Sequence, residues 1–222
     1  LSDLIKEILA LPKLHRLRLS SVEPNTITEE LLEVMKSSPK FLDHFHIPLQ
    51  SGDNEILKNM RRKYSTDDYK KVMNMILKAY PNAGIGADII VGYPGETDEQ
   101  FKNTYNFLKE MPISHFHVFP YSKRKGTTAA SETNHIQHGL KKKRVQSLIM
   151  FGDEKLSIFA EDQIGRNSKV LFEKRNEKGF FEGYTSNFIR VMVESDSDLS
   201  NKVLNVHLVS AENGKLFGEI LH

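Results

Sequence analysis

The chain has 222 residues, a formal net charge of +2 at pH 7 and no cysteine. The missing cysteine excludes disulfides, thiolate metal ligands and cysteine nucleophiles within these residues. The same absence of cysteine favours the cytoplasm as the compartment. No apolar run is long enough to cross a bilayer, so we expect no membrane partner. The length suits one main domain with a smaller appendage.

The sequence begins within a helical pattern. Leu1 to Leu11 has apolar residues at helical spacing, position 1 is not Met, and no targeting signature precedes it. We therefore expect that the chain was cut from a longer protein whose N-terminal part is missing.

Strand and helix patterns alternate over the first part of the chain. The predicted strands are His15–Ser20, His44–Leu49, Ile85–Val91 and His115–Phe119. The predicted helices between them comprise one opened by a capping box of Thr26 and Glu29, a short one through Met60, one capped at Thr66, and one opened by Thr97 and Gln100. This order is typical of an α/β fold with parallel strands.

Each predicted strand has an apolar and a polar face. The polar faces carry Arg16, Arg18 and Ser20, then His44, His46 and Gln50, then Asp88, then His115 and His117. Parallel strands covered on both faces normally form continuous apolar runs. The polar face therefore predicts a wet or ligand-filled interior, as in an open barrel. A sheet face partly exposed to solvent is the alternative.

The second half of the chain changes character. A long helical pattern runs from Gln137 to Gln163, and five short strand patterns follow. The five are Ser168–Phe172, Phe180–Tyr184, Phe188–Val193, Lys202–Val209 and Leu216–Ile220. They predict a small all-β barrel of the oligonucleotide-binding kind. We therefore divide the chain into residues 1–136, a connecting helix over 137–164, and a small barrel over 165–222.

Functional residues of parallel α/β folds gather at the carboxyl ends of the strands. Here those ends carry Ser20 to Glu23, Pro48 to Gly52, Gly92 to Glu96 and Pro120 to Ser122. Carboxylate and amide groups suit ribose hydroxyls and an amino group, and an arginine can pair with a carboxylate, so a zwitterionic nucleoside would fit. Ordinary turn and capping chemistry would explain the same residues.

Two histidine pairs, His44 with His46 and His115 with His117, share strand faces and could be metal ligands. No acidic partner stands at an evident spacing. We therefore predict interior histidines satisfied by hydrogen bonds, and no metal site.

Basic residues cluster in two places that could meet phosphate or form a solvated surface. One cluster is Lys58, Arg61, Arg62 and Lys63; the other is Lys123, Arg124, Lys125, Lys141, Lys142, Lys143 and Arg144. A predicted hairpin also places Tyr184, Asn187, Phe188 and Arg190 together, where bases could stack and phosphates bind. The alternative is a hairpin whose aromatic rings pack inward.

Five motifs together resemble the methylthiotransferase family of radical S-adenosylmethionine (SAM) enzymes. They are Arg18-Leu-Ser-Ser-Val-Glu-Pro24, His46-Ile-Pro-Leu-Gln-Ser-Gly52, Met60-Arg-Arg62, Asp88-Ile-Ile-Val-Gly-Tyr-Pro-Gly-Glu96 and Phe119-Pro-Tyr-Ser-Lys-Arg124. The remainder from about Gly165 resembles the family's RNA-binding TRAM domain. The run from His117 to Arg124, followed by Gly126 and Thr127, looks most like the branch that methylthiolates N6-threonylcarbamoyladenosine beside the tRNA anticodon. Thr128 departs from the proline common in that motif.

The resemblance implies part of a TIM-like radical SAM barrel followed by a TRAM barrel. It implies SAM and two 4Fe-4S clusters in the intact enzyme, with cluster cysteines that this chain lacks, so we expect no catalytic residue here and no activity from the chain alone. It assigns the SAM side of the barrel to Ser20, Glu23, Gln50, Ser51, Arg61 or Arg62, Asp88, Gly92 and Tyr121. It assigns tRNA contacts to Lys123, Arg124, Tyr184, Asn187, Phe188 and Arg190.

Three further expectations follow. An incomplete barrel has an open edge, which would stay open or pair with another molecule, including a second copy. A stand-alone RNA-binding module is an alternative function. Methylthiolation of a ribosomal protein by a related enzyme is another.

Overall fold

The computed structural model describes residues 1–221 and contains two sheets with separate hydrophobic cores. The first sheet has four parallel strands in the order β1-β2-β3-β4. Their bounds are Leu17–Leu19 (β1), Phe41–His46 (β2), Gly84–Val91 (β3) and His115–Pro120 (β4). The predicted partial β/α barrel is confirmed.

Helices cover the apolar face of this sheet. They are α1 (Ser2–Ala10), α2 (Glu29–Lys36), α3 (Asn54–Asn59), α4 (Thr66–Ala79) and α5 (Asp98–Glu110). Ile85, Ala87 and Ile89 of β3 are fully buried beneath them, as the alternation predicts. The opposite face of the sheet carries the polar residues and forms the interior of the half-barrel.

Two predicted helix starts are wrong by one or two residues. Pro24 to Thr26 forms a 3₁₀ turn, so α2 is capped by Thr28, whose hydroxyl accepts a hydrogen bond from Leu31 N (3.1 Å). Helix α4 is capped by Ser65 rather than Thr66, because Ser65 and Asp68 form the reciprocal capping box. The box of Thr97 and Gln100 that opens α5 is confirmed.

Strand β2 starts three residues before the predicted His44, because Phe41 pairs with Leu17 of β1. The chain after His46 still follows β3, since Ile47 N donates to Gly86 O (2.8 Å) and Gln50 N donates to Asp88 O (2.8 Å). Pro48 has no N–H, and the regular ladder ends before it.

A short helix, α6 (Thr128–Ser131), precedes the long connecting helix α7 (His138–Glu161). Helix α7 contributes to both cores: Leu148 packs with the half-barrel and Ala160 with the small barrel. No helix within residues 1–221 is long and apolar enough to cross a membrane.

The five predicted C-terminal strands close into a barrel with the order β5-β6-β7-β9-β8. They are β5 (Asn167–Arg175), β6 (Phe181–Tyr184), β7 (Arg190–Val193), β8 (Val203–Glu212) and β9 (Lys215–Ile220). Strand β7 begins at Arg190 rather than at the predicted Phe188, because Phe188 has a φ of 69° and cannot continue a strand.

Candidate functional site

A cavity of about 840 Å³ opens at the carboxyl ends of the parallel strands. Five residues predicted for SAM or tRNA line it: Gln50, Arg61, Asp88, Tyr121 and Arg124. The wall also includes Asn59, Met60, Arg62, Tyr93, Phe119, Thr127 and Thr128. The cavity therefore lies where α/β folds bind ligands, and it combines charged, amide and aromatic groups.

Two lining residues have left-handed backbones, which bulky residues adopt rarely. Gln50 has a φ of 67° and Arg61 a φ of 57°. The backbone of Gln50 is fixed by β3, since its carbonyl also accepts a hydrogen bond from Ile90 N (2.9 Å). Such strain persists where surrounding contacts hold it, and it is common at functional sites.

The two arginines of the Met60-Arg-Arg62 motif have different partners. Arg62 Nη1 lies 3.3 Å from Glu23 Oε1 and forms an ion pair with it. Arg61 Nη2 donates to the Thr128 hydroxyl (3.1 Å), a neutral partner. Thr128, the departure from the family motif, thus holds the arginine that is better placed to receive a ligand carboxylate.

Four predicted SAM residues lie outside the lining, and one of them is Glu23, which pairs with Arg62. Ser20 is exposed at the end of β1. Ser51 is 1% exposed, and its hydroxyl lies 3.2 Å from the Thr104 hydroxyl, so it fixes the turn behind the cavity. Gly92 is buried, and its N–H donates to the Glu96 carboxylate (3.0 Å). The structure gives Ser51 and Gly92 structural hydrogen bonds, and their cofactor contact stays a prediction.

Aromatic rings form one side of the cavity. Tyr121 meets Tyr93 edge to face at 5.4 Å, and on its other side it stacks with His135 at 6.0 Å. Tyr93 is fixed by its hydroxyl, which donates to Asn59 O (2.9 Å). The buried Tyr121 hydroxyl has no hydrogen-bond partner within residues 1–221. The ring contacts and the Tyr93 hydrogen bond fix the two tyrosine rings as one wall of the cavity.

An acidic residue stands between the two histidine pairs in the structure, although none stands at an evident spacing in the sequence. Asp88 Oδ1 lies 3.1 Å from His46 Nε2 and 3.3 Å from His117 Nδ1. The three residues are far apart in sequence but lie on the adjacent strands β2, β3 and β4, facing the interior. Sequence spacing alone could not reveal this, because it depends on the parallel register.

The other two histidines lie deeper in the half-barrel. The His44 and His115 rings stack at 5.4 Å. Burial lowers the pKa of His44 to about 3, with further lowering by His115 and Arg18. Burial also lowers the pKa of His115 to about 4, with His117 and His46 adding to the effect. Both rings are therefore neutral at pH 7, and both His44 nitrogens lack hydrogen-bond partners within the described chain.

The tip of the hairpin between β6 and β7, which the sequence predicts to bind RNA, packs against the interior face of the four-stranded sheet. The Phe188 ring lies 4.7 Å from the His44 ring, and the Arg18 guanidinium lies 3.8 Å from the Phe188 centroid. Asn187 is buried, and its Nδ2 donates to Asn82 O (3.1 Å) and Gln163 Oε1 (3.2 Å). Asn187 and Phe188 thus occupy a contact between the two units, and their contact with RNA stays a prediction.

The remaining predicted RNA residues are more accessible. Lys123 and Arg124 are exposed on the loop after β4. Tyr184 and Arg190 are half-buried, and Arg190 Nη2 donates to the Tyr184 hydroxyl (2.8 Å) while Nη1 pairs with Glu182 (3.0 Å).

The alternation of side chains along β4 could have identified Phe119 as a further lining residue, since it shares a face with His115 and His117.

Known proteins match this arrangement. The family model described as the Radical SAM superfamily matches residues 1–108. Coproporphyrinogen III oxidase from Escherichia coli, a radical SAM enzyme, superposes with a TM-score of 0.55 at 15% identity, covering 93% of this chain and 52% of that one. That likeness supports the fold alone. Together with the cavity at the carboxyl ends of the strands, these matches define a radical SAM barrel.

Sequence relatives define the family further. Threonylcarbamoyladenosine tRNA methylthiotransferase MtaB of Bacillus subtilis is 40% identical over 200 residues, which are 88% of this chain and 44% of that protein. The protein of the same name from Aquifex aeolicus is 36% identical over 203 residues, which are 91% of this chain and 48% of that protein. A tRNA-2-methylthio-N(6)-dimethylallyladenosine synthase from Lachnoclostridium phytofermentans is 33% identical over 222 residues, which are 99% of this chain and 49% of that protein. The chain belongs to the radical SAM methylthiotransferase family, and it spans about half the length of these curated relatives.

Proposed function

We propose that the full-length protein is a methylthiotransferase that adds a methylthio group to N6-threonylcarbamoyladenosine in tRNA. This chain would supply the SAM-facing wall of the barrel and an RNA-binding unit. The observation that carries the proposal is the cavity that brings Gln50, Arg61, Asp88 and Tyr121 together at the carboxyl ends of the strands. We also propose that the chain has three parts, a half-barrel, a connecting helix and a small barrel, over residues 1–136, 137–164 and 165–222.

The lining fits a zwitterionic nucleoside. The oxygens of Gln50 and Asp88 can accept hydrogen bonds from ribose hydroxyls or an amino group. Arg61, whose partner is a neutral hydroxyl, can bind a carboxylate. Tyr93, Tyr121 and Phe119 offer the apolar surface that an adenine ring needs.

When bound to the intact enzyme, SAM and the 4Fe-4S clusters would supply the radical and the methyl group. The chain has no cysteine, so none of its residues can provide a thiolate to a cluster. Its own residues would bind the nucleoside part of SAM, orient it, and exclude water with the aromatic wall.

The relatives name two substrates with different chemistry. A threonylcarbamoyl group carries a carboxylate, whereas a dimethylallyl group is apolar. The exposed cations Lys123 and Arg124 next to the cavity favour the charged substrate and the tRNA backbone. Tyr184 and Arg190 would extend the RNA surface. An enzyme that modifies tRNA would work in the cytoplasm.

The first sheet ends at β1, which pairs with β2 on one side. We infer that other residues of the full-length protein pair with this edge, or that a second copy does so when only this chain is present. Light scattering after size-exclusion chromatography would distinguish monomer from dimer.

The substrate is tested by mass spectrometry of tRNA nucleosides from a strain that lacks the gene. Restoring the full-length gene should restore 2-methylthio-threonylcarbamoyladenosine. If methylthiolated dimethylallyladenosine appeared instead, the substrate would be the dimethylallyl-modified base. Unchanged tRNA together with a methylthiolated ribosomal protein would contradict the tRNA proposal, and RNA binding without any modification would support a binding module.

A further inference from the structure

Three potential metal ligands meet on the interior face of the half-barrel. His46 on β2, Asp88 on β3 and His117 on β4 each offer one ligand atom, and these atoms lie within 4.8 Å of one another. The histidines approach the same carboxylate oxygen, at 3.1 and 3.3 Å. Because the three residues sit on neighbouring strands, the sheet fixes their positions.

The contact between His46 and Asp88 is close, but it is not a hydrogen bond. His46 Nε2 is buried and has no hydrogen-bond partner within residues 1–221, although Asp88 Oδ1 lies 3.1 Å away. Leaving a buried nitrogen unsatisfied is costly. Two ligands bound to one tetrahedral ion at about 2.0 Å would stand about 3.3 Å apart, which matches both contacts to Asp88.

We propose that His46, Asp88 and His117 bind one divalent transition-metal ion of the Zn²⁺, Co²⁺ or Fe²⁺ class. Two imidazoles and one carboxylate are a donor set that these ions prefer, whereas Mg²⁺ and Ca²⁺ prefer oxygen ligands alone. The site is distinct from an iron-sulfur cluster, because it contains no thiolate.

The ion would have an open position toward the cavity. Asp88 lines that cavity, and the His117 side chain is 59% exposed. Three protein ligands with one open position are typical of metal sites that take water or a ligand oxygen. A carboxylate or hydroxyl of a molecule in the cavity could therefore complete the coordination.

The test is titration of the metal-free 222-residue chain with Co²⁺, followed by visible absorption and calorimetry. The chain contains no cysteine, so the spectrum is free of thiolate and cluster bands. We expect one equivalent to bind, with d–d bands of nitrogen and oxygen ligation. Asp88→Asn and His117→Gln should each weaken binding at least tenfold, while His138→Gln, at an exposed histidine of α7, should leave it unchanged.

Folding and binding can be separated in the same samples. His117 is exposed, so His117→Gln should melt like the wild type without metal and should lose only the increase in melting temperature that Zn²⁺ gives. Absence of Co²⁺ binding to the folded wild-type chain would overturn the proposal, and so would binding that survives both substitutions. The test uses neither SAM nor tRNA, so it does not depend on the proposed function.

Discussion

The buried His44 and the half-buried His115 show how position controls a side chain's charge. His44 and His115 lie beneath the candidate cavity, between the sheet and Phe188. Their low pKa values arise mainly from burial, which disfavours the protonated ring. The alternating pattern predicts that they face the interior, but their neutrality depends on the hairpin tip that covers them.

The chain should therefore lose stability in mild acid. Below the ordinary pKa of 6.5 the unfolded histidines bind protons, whereas folded His44 and His115 do so only near pH 3 and 4. The free energy of unfolding should fall as the pH drops through this window, by at most about 1.4 kcal/mol per pH unit for each histidine. Urea unfolding between pH 7 and 4.5 measures this slope. His44→Gln should flatten it, His15→Gln should not, and equal slopes in all three proteins would contradict the account.

Glycine at two positions of β3 leaves room for neighbouring groups. A Cβ on Gly84 would lie 2.0 Å from Asn187 O, and one on Gly86 would lie 2.6 Å from His115 Nε2. The sequence shows Gly86 inside the predicted strand and Gly84 directly before it, and glycine within a strand signals close approach. It does not show that the small barrel is what approaches Gly84.

Gly84→Ala should destabilise the chain, because the clash is with backbone rather than a flexible side chain. Overpacking of this kind costs about 1–3 kcal/mol. Gly139→Ala is the matched control, since nothing lies within 4 Å of the added Cβ and alanine favours the helix. Thermal unfolding of both variants checks the prediction; a Gly84→Ala protein as stable as the control would show that the contact is absent in solution.

At the scale of elements, α7 is held to the loop after β3 by a buried ion pair. Arg144 is 3% exposed and contacts Glu96 Oε1 at 2.5 Å and Asp98 Oδ1 at 2.6 Å. Burial raises the pKa of Glu96, against the opposing effects of the Gly92 N–H and Arg144. From the sequence, the basic cluster that contains Arg144 could contact phosphate or form a solvated surface. In the structure Arg144 is buried and joins two elements.

Arg144→Met should cost about 3–5 kcal/mol, because it leaves the Glu96 carboxylate buried without its partner. Lys71→Ala removes the exposed pair with Asp68 (3.5 Å) and should change stability by less than about 1 kcal/mol. Adding Glu96→Gln to Arg144→Met should recover part of the loss. Chemical denaturation of the single and double variants gives the coupling energy, and a value near zero would contradict a direct pair.

Element types were predictable, and element boundaries less so. All four parallel strands and all five barrel strands follow from periodicity, because their apolar positions alternate. The caps at Thr28 and Ser65 were missed because neighbouring Thr26 and Thr66 offer the same hydroxyl chemistry in the sequence. Of the predicted SAM residues, Gln50, Asp88 and Tyr121 line the cavity together with Arg61, while Ser20 and Glu23 lie outside it. Ser51 and Gly92 bond to other protein groups that the sequence does not reveal.

At the scale of the whole molecule, the small barrel is joined to the half-barrel by more than the connecting helix. Phe188 packs between Arg18 and His44 on the interior face of the sheet, and Asn187 donates a hydrogen bond to the Asn82 carbonyl. The sequence indicates two units, but it cannot show which hairpin faces which sheet. This docking would fix the small barrel relative to the cavity.

Phe188→Ala should weaken the coupling of the two units. Calorimetry should show one transition for the wild type and two, or a broadened one, for the variant. Phe180→Ala, at a ring that packs on Phe217 within the small barrel, should lower stability without separating the transitions. Identical transition shapes in both variants would mean that the hairpin tip does not join the units.

If the cavity at the strand ends binds the reacting nucleosides, substitution of Arg61 should reduce both the cleavage of SAM and the modification of tRNA. The full-length protein, reconstituted with iron and sulfide without oxygen, would be given SAM and tRNA that carries threonylcarbamoyladenosine. 5′-Deoxyadenosine and the methylthiolated nucleoside would be measured together. Arg61→Gln should lower both at least tenfold, while Lys70→Gln, at an exposed cation outside the lining and outside both basic clusters, should leave both unchanged. Wild-type activity in Arg61→Gln would contradict the account.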